Sequence, residues 1–234
     1  MSVSTRVSIA WAPEFTASEP TDTLVLTGKT FFVDQRLLSP GANTAESKTK
    51  RGTVDWAFAG TRSAKDAEVP GHSYCSWTHL VSSRFTTAAD ECVDEGYMQP
   101  HPTDSELALE TGAMAHPDSG VVTAYREVWR DEDAAVGDGV LFWECGDGKW
   151  EDRGFVGVIG GNALAVGRAD GAFYTWRAKR GADGWEVLFE SGGRRGWDLL
   201  GVDVADATVG GVVATGESGG QRWVCREAWA VESK

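Results

Sequence analysis

Val121–Arg130 reads VVTAYREVWR, and a hundred residues later Gln221–Ala230 reads QRWVCREAWA. Arg126, Glu127 and Trp129 of the first stretch align with Arg226, Glu227 and Trp229 of the second. Each stretch closes a half built from short β-type segments separated by turn residues. The economical reading is two related β-domains in tandem, residues 1–132 and 137–234, each ending in the same strand. Two copies are too few for a solenoid, so each half must bury a core of its own or pack on its twin.

Working outward from the repeat, the first half shows a hairpin signal at Thr23–Thr27 and Thr30–Asp34, broken at Gly28-Lys29. Thr53–Thr61 (TVDWAFAGT) alternates Val54, Trp56 and Phe58 with small or polar neighbours, as a half-buried strand should. Tyr74–Val81 (YCSWTHLV) follows the Pro70-Gly71 turn. Glu106–Ala113 fits helix or strand by period, and Gly112 with its β-type neighbours decides for strand. Residues 1–20, with Pro13 and Pro20 and no sustained period, read as a loosely attached arm. Leu37–Thr53 reads as a long loop carrying Pro40, Gly41 and the basic cluster Lys48–Arg51.

Asp131–Gly139 (DEDAAVGDG) is acidic and small, a natural linker. Beyond it, strands are expected at 140–144, 155–159, 163–168, 172–177, 185–190, 208–215 and 221–230, separated by turns such as Gly160-Gly161, Asp170-Gly171 and Asp183-Gly184. Convincing amphipathic helices are absent. Evenly spaced short strands describe an all-β chain of antiparallel, up-and-down sheets, and small closed barrels solve the edge problem such sheets create.

Composition bounds the function. The chain of 234 residues is 41% hydrophobic, too apolar for disorder. A net charge of −13 repels phosphates and anionic lipid, so neither nucleic acid nor membrane is an expected partner. MSVSTRVSIAWAPEF lacks a basic segment followed by an apolar run, so no signal peptide is expected, and no segment approaches the ~20 apolar residues of a bilayer span. Cys75, Cys92, Cys145 and Cys225 sit far apart without a C-x-x-C pair and read as reduced thiols in an intracellular, cytoplasmic setting.

The repeated strand holds the first candidate chemistry. Successive side chains of a strand face opposite sides. Trp223, Cys225, Glu227 and Trp229 share the more apolar face in the second copy, and Tyr125, Glu127 and Trp129 share one in the first. Glu127 and Glu227 are therefore expected to point inward among aromatic rings, where burial raises a carboxyl pKa toward that of a general acid or base. The structural alternative is that both accept hydrogen bonds that hold the framework. His79 and Tyr74 join them as candidate catalytic groups. Trp56, Trp77, Tyr125, Arg126, Trp129, Trp223, Arg226 and Trp229 are candidates to line a ligand cavity.

His72, Cys75 and His79 give H-x2-C-x3-H, but no second cluster supplies further ligands, so no metal is expected. There is no G-x-S-x-G, no G-x-G-x-x-G between strand and helix and no G-K-[ST], so no nucleotide or other cofactor is expected either.

WAFAGT (Trp56–Thr61), ETGA (Glu110–Ala113) and the YREVW strand (Tyr125–Trp129) together resemble a fungal family named for a budding-yeast protein that interacts with a casein-kinase-1 homologue, the HRI family. The match is best over residues 54–130 and weaker beyond, where Val166-Gly167-Arg168 and the last strand are the recognisable pieces. The resemblance implies two lipocalin-like (calycin-like) β-barrel domains in a fungal protein of cytoplasm and nucleus, a casein-kinase-1-type kinase as partner, and no established catalytic residues. Three functions follow as expectations. One is an aromatic-lined barrel that binds an apolar or aromatic small molecule. Another is a cofactor-independent isomerase or cyclase acting on a polyketide-, flavonoid- or terpenoid-like intermediate. The third is a filled-barrel interaction protein whose Ser39–Thr53 loop is regulated.

Overall fold

The computed structural model describes residues 1–39, 53–84, 92–146, 148–215 and 221–232. Residues 40–52 lie outside the described residues, and with them the basic cluster and nearly all of the Ser39–Thr53 loop.

The all-β reading holds. Eight antiparallel strands close a barrel: β1 (Ser2–Trp11), β2 (Thr21–Thr27), β3 (Phe31–Leu38), β4 (Val54–Asp66), β5 (Ser73–Ser82), β6 (Cys92–Pro100), β7 (Leu107–Ala115) and β8 (Val122–Asp133). Seven more follow: β9 (Gly139–Cys145), β10 (Gly154–Ile159), β11 (Asn162–Ala169), β12 (Ala172–Gly181), β13 (Gly184–Ser191), β14 (Val212–Thr215) and β15 (Gln221–Ala230). They form a second sheet in the order β13-β12-β11-β10-β9-β15-β14. The strand carrying R-E-x-W returns in each half to pair with that half's first strand, β8 with β1 and β15 with β9.

Two departures from the sequence reading concern the first half. Residues 1–20 are no loose arm, because Ser2–Trp11 is the strand on which the barrel closes. Its inward residues Ser2, Ser4 and Arg6 are polar, so the strand carries no apolar period to be seen. β6, a strand the sequence pattern does not announce, hides for the same reason: Cys92 and Asp94 occupy its inward face.

The second half also departs from the expected barrel. Among the described residues, β13 and β14 are open edges. Between them the chain runs through a 3-10 helix at Trp197–Gly201, whose Leu199 is fully buried. Trp197 packs edge-on against Trp176 at 5.4 Å. With Trp143 and Trp223 also fully buried, this segment packs on one face of the sheet. The turns of this half are as legible as those of the first, yet turns do not encode closure.

The halves share a core. Leu24, Leu26, Val33 and Ala59 on the outside of the barrel pack against Phe142, Phe155, Leu164 and Val166 of the second sheet. β3 and β11 are consequently buried along nearly their whole length on both faces. Polar groups within this seam are paired. The Gln35 amide donates to Thr175 Oγ1 at 2.8 Å, and Arg177 donates to Gln35 Oε1 and Asp22 Oδ1, each at 2.9 Å.

Glu227 belongs to this seam, and this corrects its expected place. A bulge at Arg226 shifts the register so that Cys225 faces Trp143 but Glu227 faces Phe142. The extra residue turns Glu227 and Trp229 from the packed interior of the second sheet toward the barrel. There the Glu227 carboxylate accepts the backbone N–H groups of Lys29 (2.8 Å), Thr30 (2.7 Å) and Phe31 (3.0 Å). Gly28 permits the approach, since a Cβ at that position would lie 2.4 Å from Glu227 Oε2.

Glu227→Ala removes the buried carboxylate that accepts three N–H groups of a partly exposed turn and is expected to cost about 2–4 kcal/mol, several degrees of melting temperature in a chain of this size. Arg226→Ala, which removes a half-exposed ion pair with Glu144, should cost under about 1 kcal/mol. Thermal unfolding of the two variants checks the order, and equal losses would contradict the assignment.

Candidate functional site

The interior of the barrel is charged. Inward positions of β1, β3, β7 and β8 supply Arg6, Asp34, Arg36, Glu110, Tyr125, Glu127 and Trp129, all buried. Antiparallel register sets Glu110 directly opposite Glu127. Arg6 donates a short bond from Nη1 to Glu127 and another from Nε to Glu19 at 2.9 Å, while Arg36 lies 3.5 Å from Glu127 and 2.9 Å from Asp34. Glu110 accepts the Tyr125 hydroxyl at 2.7 Å and the Trp129 indole N–H at 3.0 Å. Gly112 makes room for that tyrosine, because a Cβ there would sit 2.6 Å from its hydroxyl.

Asp34, Arg36, Glu110, Tyr125, Glu127 and Trp129 border a cavity of about 170 Å³. Phe32, Phe58, Trp77, Met98 and Met114 supply its apolar wall, and Asp34, Arg36, Arg62, Asp94, Glu110 and Glu127 its polar one. Met1, Ser2, Thr27 and Asp131 form its rim at the strand ends where β1 begins and β2 finishes.

Burial and the neighbouring Glu127 push the Glu110 carboxyl up to about 8, against which the Tyr125 bond and Arg36 pull only in part. Burial beside Glu110 also raises the Tyr125 hydroxyl, so it stays a donor. For Arg36, burial opposes the charge, but Asp34 and Glu127 more than offset it, and its pKa is raised. The site therefore holds a protonatable carboxyl among fixed guanidinium groups. Such a group can donate a hydrogen bond to a ligand or move a proton at neutral pH.

Beside the cavity wall His79 stacks on Phe58 at 4.1 Å and meets Trp56 edge-on at 5.5 Å. Its Nε2 lies 3.1 Å from Asp94 Oδ2. Burial raises the Asp94 pKa, but hydrogen bonding to His79 and the charges around it prevail, and it ends below its ordinary value.

The structure brings some of the residues read from the sequence together and separates others. Glu127, Tyr125, Trp77 and Trp129 line the cavity, and His79 and Trp56 stand in the aromatic cluster behind it. Tyr74 stands apart from them, against Tyr97 of β6 at 5.2 Å, with its hydroxyl pushed up to about 12 by a bond to Glu95. Arg126 is exposed over Phe15, and Arg226 pairs with Glu144. Trp223 is core in the second half and Trp229 lies under Lys29 at the seam. Neither joins the cavity. Glu110, Arg36, Arg6, Asp34 and Asp94 were not singled out in the sequence. The available signal was the alternation Phe32, Asp34, Arg36 within FFVDQR, which reads as an outward polar face unless the barrel is known to be polar inside.

A family model described as "Protein HRI1" matches residues 2–227. The crystal structure of uncharacterized protein YLR301w from Saccharomyces cerevisiae superposes with a TM-score of 0.72 at 17% identity, covering 98% of this chain and 99% of that one. No curated protein matches the chain.

The raised Glu110 carboxyl has a signed consequence. The folded chain keeps that proton to about pH 8, while the unfolded chain releases it near 4.5. Between those values the folded state binds more protons, so stability from this group is present at low pH and falls as pH rises toward 8, by up to about 1.4 kcal/mol per pH unit. Glu110→Gln removes the slope. Unfolding free energies from pH 5 to 8.5 should show wild type losing ground steadily to the variant, and a constant difference would contradict the assignment.

Proposed function

This chain belongs to the HRI1 family, and we propose that it is a small-molecule-binding protein whose site is the interior of its first barrel. An eight-stranded barrel is compatible with that role, being just wide enough to be filled or to hold one small ligand. The contrast between the two halves carries the reading. Large aromatic side chains and the Trp197–Gly201 segment pack the interior of the second, whereas the first keeps a cavity bordered by rings and charged groups.

The lining narrows the ligand beyond the apolar molecule expected from the sequence. A purely apolar occupant would strip water from Asp34, Arg36, Glu110 and Glu127 without replacing its hydrogen bonds, which is costly. An amphipathic molecule fits better. About 170 Å³ is close to the ~150 Å³ that accommodates a benzene, so the buried part is a single ring. Phe58, Trp77 and Trp129 offer the faces for it, and hydroxyl or amide groups on the ring would meet Glu110 and Arg36.

The carboxyl pair favours a second reading. In a cofactor-independent isomerase or cyclase working on a polyketide-, flavonoid- or terpenoid-like intermediate, protonated Glu110 would be the acid, and Glu127, held by Arg6 and Arg36, the base. A casein-kinase-1-type kinase and a cytoplasmic or nuclear setting come from the family resemblance as further proposals. Co-precipitation from cell extract tests the first of these.

The binding reading is tested with 5-fluorotryptophan labelling, which reports each of the 11 tryptophans separately. Titration with substituted phenols should shift the Trp77 and Trp129 resonances and leave Trp143, Trp176 and Trp223 in place. Glu110→Gln and Arg36→Met should each weaken that binding about tenfold, the worth of one hydrogen bond. Shifts confined to the second half, or binding indifferent to both substitutions, would refute the proposal.

A further inference from the structure

Three side chains with metal-binding atoms converge beside the cavity, and no motif in the sequence announces them. His79 on β5 is registered directly opposite Cys92 on β6, and Asp94 follows Cys92 on the same face of β6. Their ligand atoms all lie within 4.8 Å of one another. His79 Nε2 is 3.1 Å from Asp94 Oδ2, and Cys92 Sγ is 3.5 Å from Asp94 Oδ1. We propose that His79, Cys92 and Asp94 form a binding site for a divalent metal ion of the zinc class.

Donor chemistry selects the ion. One imidazole nitrogen, one thiolate sulfur and one carboxylate oxygen suit a borderline-soft ion such as Zn²⁺, and are too few oxygens for Ca²⁺ or Mg²⁺. Bonds of ~2.0–2.3 Å in tetrahedral geometry put neighbouring ligand atoms roughly 3.3–3.7 Å apart. With Asp94 Oδ2 as the carboxylate ligand, the His79 separation of 3.1 Å is already close to that scale, and the other ligand atoms, all within 4.8 Å of one another, close by about an ångström through side-chain rotation. Thiolate and carboxylate together neutralise the ion, and the thiol proton leaves to solvent on binding. Arg36, the guanidinium that acts on Asp94 from across the barrel, is itself engaged by Asp34 and Glu127.

The ligands are also held in place. Phe58 stacks on the His79 ring and Trp56 meets it edge-on, fixing the direction of Nε2. Asp94 is part of the cavity wall, so the site adjoins the cavity, and its fourth coordination position is left to water or a ligand. The H-x2-C-x3-H spacing visible in the sequence is a different set. His72 lies in the turn before β5, and Cys75 hydrogen-bonds with Arg62 instead.

The test uses the whole 234-residue chain, freed of metal by chelation and titrated with Co²⁺ alone. Saturation at one equivalent is expected, with a thiolate-to-cobalt charge-transfer band, the strong visible bands of tetrahedral Co²⁺, and displacement by Zn²⁺. Cys92→Ser should abolish the charge-transfer band, and His79→Gln and Asp94→Asn should weaken binding by about a hundredfold. Zn²⁺ should also protect Cys92 of the wild-type chain from alkylation, a readout that needs no variant to fold. Absence of saturable binding, a charge-transfer band that survives in Cys92→Ser, or alkylation of Cys92 unchanged by Zn²⁺ would each overturn the proposal.

Discussion

Two carboxyl groups stand opposite one another on β7 and β8, and no barrel interior can hold both as bare charges. Isolated ions are expensive to bury, and two like charges at neighbouring positions cannot be accommodated unless one is neutralised and the other compensated. Both solutions occur here. Arg6 and Arg36 converge on Glu127, while Glu110 keeps its proton to about pH 8 and is held by Tyr125 and Trp129. Asp34 and Glu19 then balance the two arginines from behind. The polar inner surface of the first barrel is one connected arrangement, and its cavity lies inside it.

The repeated motif shows how one backbone irregularity assigns different work to the same residues. Glu127 and Glu227 occupy equivalent positions in strands that each return to pair with the first strand of their half. In β8 the motif runs without a bulge, and the register irregularity falls on β1 between Arg6 and Ser8, so Glu127 stays inside the barrel with Tyr125 and Trp129. In β15 the bulge falls within the motif itself, and Glu227 swings over to fasten the β2–β3 turn through backbone N–H groups. One glutamate belongs to a site and its counterpart to a seam. That fits the asymmetry of the halves, one hollow and polar, the other filled with tryptophan.

Most of the fold class was legible because turns and β-rich runs announce themselves. Gly28-Lys29, Gly160-Gly161 and Asp170-Gly171 all lie where the chain reverses. The inward direction of the polar residues was not legible. Ser2, Ser4 and Arg6 face the interior, as do Asp34 and Arg36, so the usual rule that polar residues point to water misreads them. β6 was hidden in the same way. The bulge that redirects Glu227 has no local signature, since the extra residue is Arg226 rather than a glycine. Of the cavity wall, the sequence pointed to Glu127 and the aromatic residues Trp77, Tyr125 and Trp129. Glu110 was quoted only as part of a motif, because its role arises from cross-strand register, which is a property of pairing and not of spacing along the chain.

The claim on which the account rests is that the first barrel admits a small molecule. Native mass spectrometry of the chain purified from its own host, compared with the same sample denatured, addresses it directly. The predicted result is a non-covalent adduct of small-molecule mass on the native chain that is released on unfolding. It should be missing from a Val25→Phe variant, whose added ring occupies the cavity wall that Val25 now forms. A bare native chain, or an adduct that persists when the cavity is filled, would contradict the account.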